Sequence, residues 1–184
     1  MIAFVISLVV LVGVVAGLNL LLTVGVIRRL KLHTSQLANL PKMDGSNESL
    51  MIAEGERIGE FETVTSDGEA VSRDSLSGQT LVGVLSPSCS ACEERLPEFV
   101  ETAKAFPGGR GQVLAVIAGQ PDEVAGYLQK LAPVARVVVE PPIDGPLGSA
   151  LKVQGFPTFA LLDGEGTVVA GGISPKQLPM PAAA

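Results

Sequence analysis

The apolar and polar positions divide the chain into one long apolar stretch followed by short alternating segments. Residues 2–27 contain no charged side chain and only three clearly polar ones, namely Ser7, Asn19 and Thr23. At about 1.5 Å per residue, a helix of this length exceeds the roughly 20 residues that cross a bilayer. We therefore predict a single transmembrane helix over residues 2–27.

A cleaved signal peptide is the alternative interpretation of this stretch. Such a peptide has a positive N-terminal region, a shorter apolar core and a cleavage site made of small residues. Here no basic residue precedes the apolar stretch, and Arg28, Arg29 and Lys31 follow it directly. The pattern favours an uncleaved membrane anchor.

The composition of residues 28–54 is typical of a juxtamembrane segment and a linker. Residues 28–40 are basic, whereas residues 41–54 are rich in Gly, Ser and Asn. Small and polar residues of this kind form flexible connections. We expect a folded domain over residues 55–184 that hangs from the membrane by this linker.

Within residues 55–184, short apolar segments alternate with helix-like ones. A Ser-Asp-Gly turn between two alternating stretches predicts a β-hairpin over residues 61–72. Strands are further predicted at 80–85, 112–118, 135–139, 157–162 and 167–169, and helices at 89–106, 122–131 and 148–153. Strands and helices that alternate at this spacing form a central sheet with helices on both faces. The predicted fold class is α/β.

The junction between strand 80–85 and the following helix carries a pair of thiols. The strand breaks at a Ser-Pro-Ser turn, and the helix starts at Cys89 and Cys92, a Cys-x-x-Cys pair. Free N–H groups and the positive end of the helix dipole favour a thiolate at such a position. Cys89 is therefore predicted to be a nucleophile, and Cys92, one turn further along, is close enough to form a disulfide with it.

A zinc site is the competing interpretation of a Cys-x-x-Cys pair. Structural zinc takes about four N, S or O ligands from the protein. The chain has two cysteines, both in the pair, and one histidine, His33, far away in the basic segment. The pattern favours a redox pair that needs neither metal nor cofactor, because the two sulfur atoms carry the electrons.

The distribution of charge argues against a nucleic-acid partner. The 184-residue chain has 13 Lys and Arg against 19 Asp and Glu, and residues 50–184 hold nine of the former and 17 of the latter. Nucleic-acid-binding surfaces need a basic patch. We therefore expect no nucleic acid to bind the predicted domain.

A Gly-Phe-Pro-Thr segment at residues 155–158 is the second informative motif. Proline cannot donate to a sheet ladder, so Pro157 belongs at the first residue of a strand or at an edge. Asp-Gly and Glu-Gly dipeptides over residues 163–166 then close a hairpin.

The order of these motifs resembles the thioredoxin superfamily over about residues 59–173. The shared features are Cys-x-x-Cys after a strand, a proline five residues past the second cysteine (Pro97), and Gly-Phe-Pro-Thr before a hairpin. The resemblance implies a thioredoxin-like fold, a mixed central sheet flanked by helices with an added N-terminal β-hairpin. It also implies that Cys89 and Cys92 form the catalytic pair.

The same resemblance assigns roles to two residues before strand 157–162. In that family, the proline that corresponds to Pro157 is cis and lies beside the disulfide. The backbone just before it, here Phe156, pairs with an extended substrate. Phe156 and Pro157 are thereby expected to bind substrate.

The anchor and the added hairpin look like the membrane-tethered thiol-disulfide proteins of the TlpA/ResA type. The Leu-Ser-Pro-Ser-Cys-x-x-Cys run is similar to the methylamine-utilisation (MauD) accessory proteins. These resemblances imply protein thiols and disulfides as substrates, an electron-transfer partner in the membrane and a domain outside the cytoplasm. The basic residues 28–31 favour the opposite orientation, because positive residues usually flank the cytoplasmic end of a span.

The sequence departs from the thioredoxin pattern in three places. Ser88 replaces the tryptophan before the first cysteine, and Gly83 replaces a buried acid that helps to deprotonate the second cysteine. Glu93 or Glu94 could take over as proton acceptor, although first-turn glutamates more often stabilise a helix through its dipole. The helix expected after the last hairpin is reduced to residues 174–178.

The main prediction is a membrane-tethered thiol-disulfide oxidoreductase, and two other functions stay open. A non-catalytic binding or assembly module is favoured by the missing tryptophan and acid. A thiol peroxidase would have Pro and Thr or Ser seven and three residues before the reactive cysteine. Ser86 fits that motif, whereas Val82 does not.

Overall fold

The structure is a computed structural model that describes residues 50–141 and 144–180, together with Ile6 and Gly13. The predicted membrane span at 2–27 and residues 28–49 lie outside the described residues, apart from those two positions. Within the part that is described, no helix has the length and apolar character that crossing a membrane requires. The chain divides into two units, Met1–Ser46 and Asn47–Ala184, and the second is described below.

The described part of the second unit contains seven strands and three α-helices. The strands are β1 (Glu62–Val64), β2 (Ala70–Ser72), β3 (Thr80–Leu85), β4 (Val113–Ala118), β5 (Arg136–Glu140), β6 (Thr158–Leu162) and β7 (Val168–Gly172); the helices are α1 (Ser90–Ala105), α2 (Ala125–Leu131) and α3 (Pro146–Ala150). Short 3₁₀ turns occupy Arg73–Ser75, Gly109–Gln112 and Pro175–Gln177.

Strand β3 lies at the centre of a five-stranded mixed sheet of order β5-β4-β3-β6-β7. Strands β3, β4 and β5 run parallel, whereas β6 is antiparallel to β3 and β7 to β6. All six residues of β3 are buried. A strand that is covered on both faces has a continuous apolar sequence, which is why the Val- and Leu-rich run at 80–85 could be recognised.

The side chains of β3 alternate between two hydrophobic cores, one on each face of the sheet. Leu81 and Leu85 belong to the core that includes α1 and α2, while Val82 and Val84 belong to the core that includes α3. This alternation follows from the two-residue period of a strand. The sheet thus places helices on both faces, as the sequence predicted.

The predicted N-terminal hairpin is present as the antiparallel pair β1 and β2. Thr65 N donates to Glu69 O at 2.8 Å, and Gly68 has a φ of 88°, which a side chain would disfavour. Ser66 N donates to Val137 O at 2.7 Å. The hairpin is therefore bonded to β5 at the edge of the central sheet.

The packed domain begins earlier than the predicted residue 55. Met51 and Ile52 are each 4% exposed and belong to a hydrophobic core. Ile52 N donates to Leu151 O at 2.8 Å, and Gln154 N donates to Leu50 O at 2.7 Å. Residues 50–54 of the predicted linker 28–54 are thus part of the domain, because they pair with the segment that follows α3.

Two helices start at other residues than predicted. Helix α2 begins at Ala125 instead of residue 122, after a turn whose capping residue, Val124, makes no side-chain cap hydrogen bond. Helix α3 spans Pro146–Ala150 instead of 148–153. Proline is favoured in the first turn because its missing N–H would have no partner there.

The segment after β7 forms a single 3₁₀ turn, Pro175–Gln177, where a longer helix was expected from the family pattern. This segment is hydrogen-bonded to α1. The Glu98 carboxylate accepts hydrogen bonds from the Ser174 hydroxyl at 2.5 Å and from Lys176 N at 3.3 Å. Leu178 is buried in the core that contains α1. The short segment therefore covers part of the sheet face on which α1 packs.

Candidate active site

Cys89 is the N-cap of helix α1. Its backbone is extended, with φ −106° and ψ 113°, and its Sγ accepts a hydrogen bond from Cys92 N at 3.3 Å. An acceptor at this position satisfies one of the free N–H groups of the first turn, and a negative charge there is stabilised by the helix dipole. The structure thus places Cys89 at the helix N-terminus, where the sequence predicted it.

Cys92 lies one turn further along and is fully buried. Burial and the hydrogen bond with Cys89 raise the pKa of the Cys92 thiol to about 12, although Ser86 N, which donates to Cys92 Sγ at 3.4 Å, acts in the opposite direction. Both cysteines are free thiols in this structure. The two sulfur atoms therefore have different surroundings: Cys89 is partly exposed, whereas Cys92 is buried in the core.

The Phe156-Pro157 segment lies directly opposite Cys89. The peptide bond between Phe156 and Pro157 is cis. The Cys89 thiol donates to Phe156 O at 3.6 Å, and strand β6 begins at the next residue, Thr158. The structure therefore brings together all four residues that the sequence singled out, Cys89, Cys92, Phe156 and Pro157.

The ring of Phe99 fills the space that a side chain at residue 83, the position expected to carry an acid from the family resemblance, would occupy. A Cβ atom on Gly83 would stand 2.6 Å from Cζ of Phe99. The Phe99 ring also packs on Phe159, with a centroid distance of 5.4 Å. A side chain at residue 83 would have to displace this aromatic pair. Glu93 and Glu94, the predicted substitutes for the acid, are both exposed.

Tyr127 is a residue near the thiols that the sequence did not reveal. Its side chain is 9% exposed and belongs to the same core cluster as Cys92. The hydroxyl is buried and has no hydrogen-bond partner among residues 50–141 and 144–180. Burial, followed by the negative charges of Cys92, Glu93 and Cys89, raises the pKa of Tyr127 to about 12. The sequence gives no sign of this environment, because a tyrosine on a helix is usually an ordinary core residue.

A cavity of about 260 Å³ lies beside Phe156 and is lined by the ends of β3, β4 and β5 and by residues 144–156 around α3. Its wall contains Glu140, whose carboxylate is buried and accepts hydrogen bonds from Leu147 N at 2.9 Å and Gly148 N at 3.0 Å. Val84 and Val116 add apolar surface. The cavity offers room for a side chain beside Phe156.

In the described segments, no cluster of three or more His, Cys, Asp or Glu side chains is arranged to hold a metal ion. The two thiols therefore have no third protein ligand nearby within those segments.

The solved structures that the domain resembles include thiol-disulfide proteins of bacteria. The thioredoxin domain of a thiol-disulfide oxidoreductase from Bacteroides vulgatus is 22% identical, covers 67% of this chain and 90% of its own length, and has a TM-score of 0.56. A thiol:disulfide interchange protein of the thioredoxin family from Chlorobium tepidum is 23% identical over 67% of this chain and 89% of its own, with a TM-score of 0.53.

A thio-disulfide isomerase from Thermus thermophilus is 22% identical, covers 67% of this chain and 87% of its own length, and has a TM-score of 0.52. No family model and no curated protein sequence matches the chain. At identities of 22–23%, the similarity to these structures supports a shared fold only. The fold of the domain is thioredoxin-like, as the motifs implied.

Proposed function

We propose that the protein is a membrane-tethered thiol-disulfide oxidoreductase that exchanges electrons with protein disulfides through Cys89 and Cys92. The observation that carries this proposal is the position of Cys89 Sγ. It lies between Cys92 N, at 3.3 Å, and Phe156 O, at 3.6 Å, on a capped helix terminus. A sulfur held in this way is partly exposed at the start of the helix and faces the segment expected to bind substrate.

The difference between the two thiols gives the order of the steps. In the reducing direction, Cys89 thiolate attacks one sulfur of a substrate disulfide, whose other sulfur leaves and takes up a proton. Cys92 then loses its proton and attacks Cys89 Sγ, which releases the second substrate thiol. The protein ends as a disulfide, and an external dithiol must reduce it again. The oxidising direction is the reverse of these steps.

Substrate recognition is proposed to use the backbone at Phe156 and the neighbouring cavity. An extended peptide that pairs beside the Phe156-Pro157 bond would present its cysteine to Cys89. The cavity of about 260 Å³ could take an adjacent side chain of that peptide. Its wall combines apolar residues such as Val84 with polar backbone.

The membrane tether is proposed from the 26 uncharged residues at 2–27. Together with the Ser-Pro-Ser-Cys-x-x-Cys motif, it supports a TlpA/ResA-type protein close to the MauD accessory proteins, with its domain outside the cytoplasm and an electron-transfer partner in the membrane.

An impermeant maleimide applied to intact cells after reduction tests the orientation. Labelling of Cys89 without lysis is expected, whereas labelling that requires lysis would place the domain in the cytoplasm.

A non-catalytic assembly module is the second candidate function. It is favoured by the burial of Cys92, whose pKa is raised to about 12, and by the absence of a side chain at Gly83 that could accept its proton. In this function the thiols would bind a partner without turning over.

Reduction of insulin by the full-length protein, with a dithiol as electron source, separates the two functions. We expect catalysed reduction by the wild type and by Ser88→Ala, a matched control that keeps both thiols. Cys89→Ser should reduce the rate to that of the dithiol alone. If the wild type neither accelerates this reduction nor, once oxidised, forms disulfides in a reduced protein through Cys89, the oxidoreductase proposal is wrong and the assembly module is supported.

A further inference from the structure

We propose that residues 50–54 hold the substrate-binding loop, residues 154–157, in position opposite Cys89, and that Leu50 is the residue through which they act. This inference rests on the proposed function and deepens it. It assigns Leu50 as a positioning residue for the binding of an extended protein disulfide. The reactivity of the Cys89 thiol itself is left unaffected.

The substrate-binding loop lies between two secondary-structure elements and belongs to neither of them. Just before it, the backbone is still bonded to helix α3, since Val153 N donates to Gly148 O at 3.0 Å. Strand β6 begins only at Thr158. Between these points lies Phe156, whose carbonyl accepts from the Cys89 thiol at 3.6 Å. The position of this carbonyl therefore depends on what supports the loop from outside.

Backbone hydrogen bonds from residues 50–54 supply such a support. Gln154 N, at the first residue of the loop, donates to Leu50 O at 2.7 Å. Ile52 N donates to Leu151 O at 2.8 Å, just after helix α3. Backbone N–H groups are paired in folded proteins, and here the pairing sets where the loop starts along residues 50–54.

The Leu50 side chain packs on the next residue of the loop, Gly155. A Cβ atom added at Gly155 would stand 3.2 Å from Cδ1 of Leu50, 3.5 Å from its Cδ2 and 3.7 Å from its Cγ. Gly155 O in turn accepts from the Thr158 hydroxyl at 2.8 Å. The peptide that precedes Phe156 is thus held by Leu50 on one side and by Thr158 on the other.

Residues 50–54 are themselves fixed to the sheet and to the core. The Glu54 carboxylate accepts from Gly171 N at 3.1 Å, and Gly171 belongs to β7 at the edge of the sheet. Ile52 is 4% exposed and belongs to the core against which Phe156 packs. A segment that is fixed in this way and contacts the loop determines where the Phe156 carbonyl lies.

The positioning role separates two kinds of reaction at Cys89. A small chromogenic nitrobenzoate disulfide requires a reactive thiolate and little else. A protein disulfide, such as that of insulin, must also lie along the substrate-binding loop. Misplacing a binding group by about 1 Å can slow a reaction by up to roughly 10²-fold. Displacement of the loop should therefore affect insulin and spare the small disulfide.

Steady-state reduction of insulin by the full-length protein, with dithiothreitol as electron source, measures the effect of Leu50. We expect Leu50→Ala to raise the KM for insulin by roughly 10-fold with kcat unchanged, the pattern of lost binding. Its rate with the nitrobenzoate disulfide should stay within about twofold of the wild type. Leu50→Met keeps an apolar side chain of similar volume and should restore most of the KM.

Leu76→Ala is the matched control for lost packing. Leu76 is buried in the same core as Ile52, yet it precedes the start of β3, whereas Cys89 follows the end of that strand. This variant should lower the stability of the domain and leave the KM for insulin unchanged. An equal rise in KM for Leu50→Ala and Leu76→Ala would overturn the positioning role and indicate a general loss of packing.

Gly155→Ala tests the contact itself and does not require Leu50→Ala to fold. Its added Cβ meets the Leu50 side chain, so this variant should also raise the KM for insulin, and an unchanged KM would count against the proposal. In the double variant Leu50→Ala/Gly155→Ala, the added methyl group has the space that the leucine leaves. Its KM should be no higher than that of Leu50→Ala alone. Strictly additive effects would overturn the proposal, because they are typical of residues that do not interact.

The same assays distinguish the positioning role from the function on which it rests. If the wild type neither reduces insulin nor, once oxidised, forms disulfides in a reduced protein, the proposed oxidoreductase fails and the positioning role fails with it. If only the oxidising reaction occurs, the KM values are compared with the reduced protein as substrate. If the wild type is active and Leu50→Ala has the same KM, only the positioning role fails.

Discussion

Gly83 in strand β3 lies against the ring of Phe99 in helix α1, so closely that a Cβ atom on Gly83 would stand 2.6 Å from Cζ of Phe99. The glycine is thus required by packing. The contact also leaves no room for a side chain at this strand position, because the Phe99 ring that packs on Phe159 fills the space.

Gly83→Ala should lower the free energy of unfolding by about 1–3 kcal/mol, the usual cost of overpacking a core. Urea denaturation of the full-length protein measures this change. Gly126→Ala is the matched control, since nothing lies within 4 Å of its added Cβ and it occupies a position in helix α2. That variant should be neutral or stabilising by up to about 1 kcal/mol. Equal effects of the two substitutions would contradict the packing argument.

Cys92 should resist alkylation at neutral pH even when Cys89 is absent. In the wild type, burial, the largest effect, and the hydrogen bond with Cys89 raise the pKa of Cys92 to about 12. Burial remains in Cys89→Ser, so the reactive thiolate should still be scarce at neutral pH. The measurement is the rate of iodoacetamide incorporation in Cys89→Ser as a function of pH. Cys92→Ser, which leaves the partly exposed Cys89, is the comparison and should react much faster at pH 7. Similar rates would show that Cys92 is accessible.

Asp163 should make the stability of the domain depend on pH in the acid range. Its Oδ1 accepts from Thr167 N at 2.8 Å and Glu165 N at 2.9 Å, and the bond from Thr167 is the main reason that the pKa of Asp163 lies below 3.8. A lowered pKa means that the stabilisation is complete above 3.8 and is lost as the pH falls through the folded value.

Asp163→Asn should therefore be less stable than the wild type by about 1 kcal/mol at pH 7, and the difference should shrink in acid. Urea denaturation across that range measures it. Asp122→Asn, in the exposed turn before α2, serves as the control. A difference between wild type and Asp163→Asn that is constant with pH would rule out the carboxylate as its cause.

Local patterns were sufficient to predict the elements that carry the site. The run at β3 was predicted at its observed bounds, Thr80–Leu85, because a strand covered on both faces has a nearly continuous apolar sequence, here interrupted only by Thr80 at its start. The thiol at Cys89 and the cis bond before Pro157 were also expected, the first from the strand-turn-helix order and the second from the family resemblance.

Features that depend on distant contacts could not be predicted. Residues 50–54 have the composition of a linker, yet Ile52 pairs with Leu151, almost 100 residues further along the chain. The start of α2 at Ala125 likewise has no side-chain cap to announce it. Tyr127 gave no signal, because whether a buried hydroxyl has a partner is decided by the tertiary structure.

Trapping of a mixed disulfide tests the central claim most directly. Cys92→Ser in the full-length protein removes the thiol that resolves the intermediate and leaves Cys89 free to attack. Denaturing gels without reductant, followed by mass spectrometry, should show partner proteins linked through Cys89, released by dithiothreitol. The double variant Cys89→Ser/Cys92→Ser should show none. Failure of Cys92→Ser to form any adduct that reductant removes would contradict the account of Cys89 as the attacking sulfur.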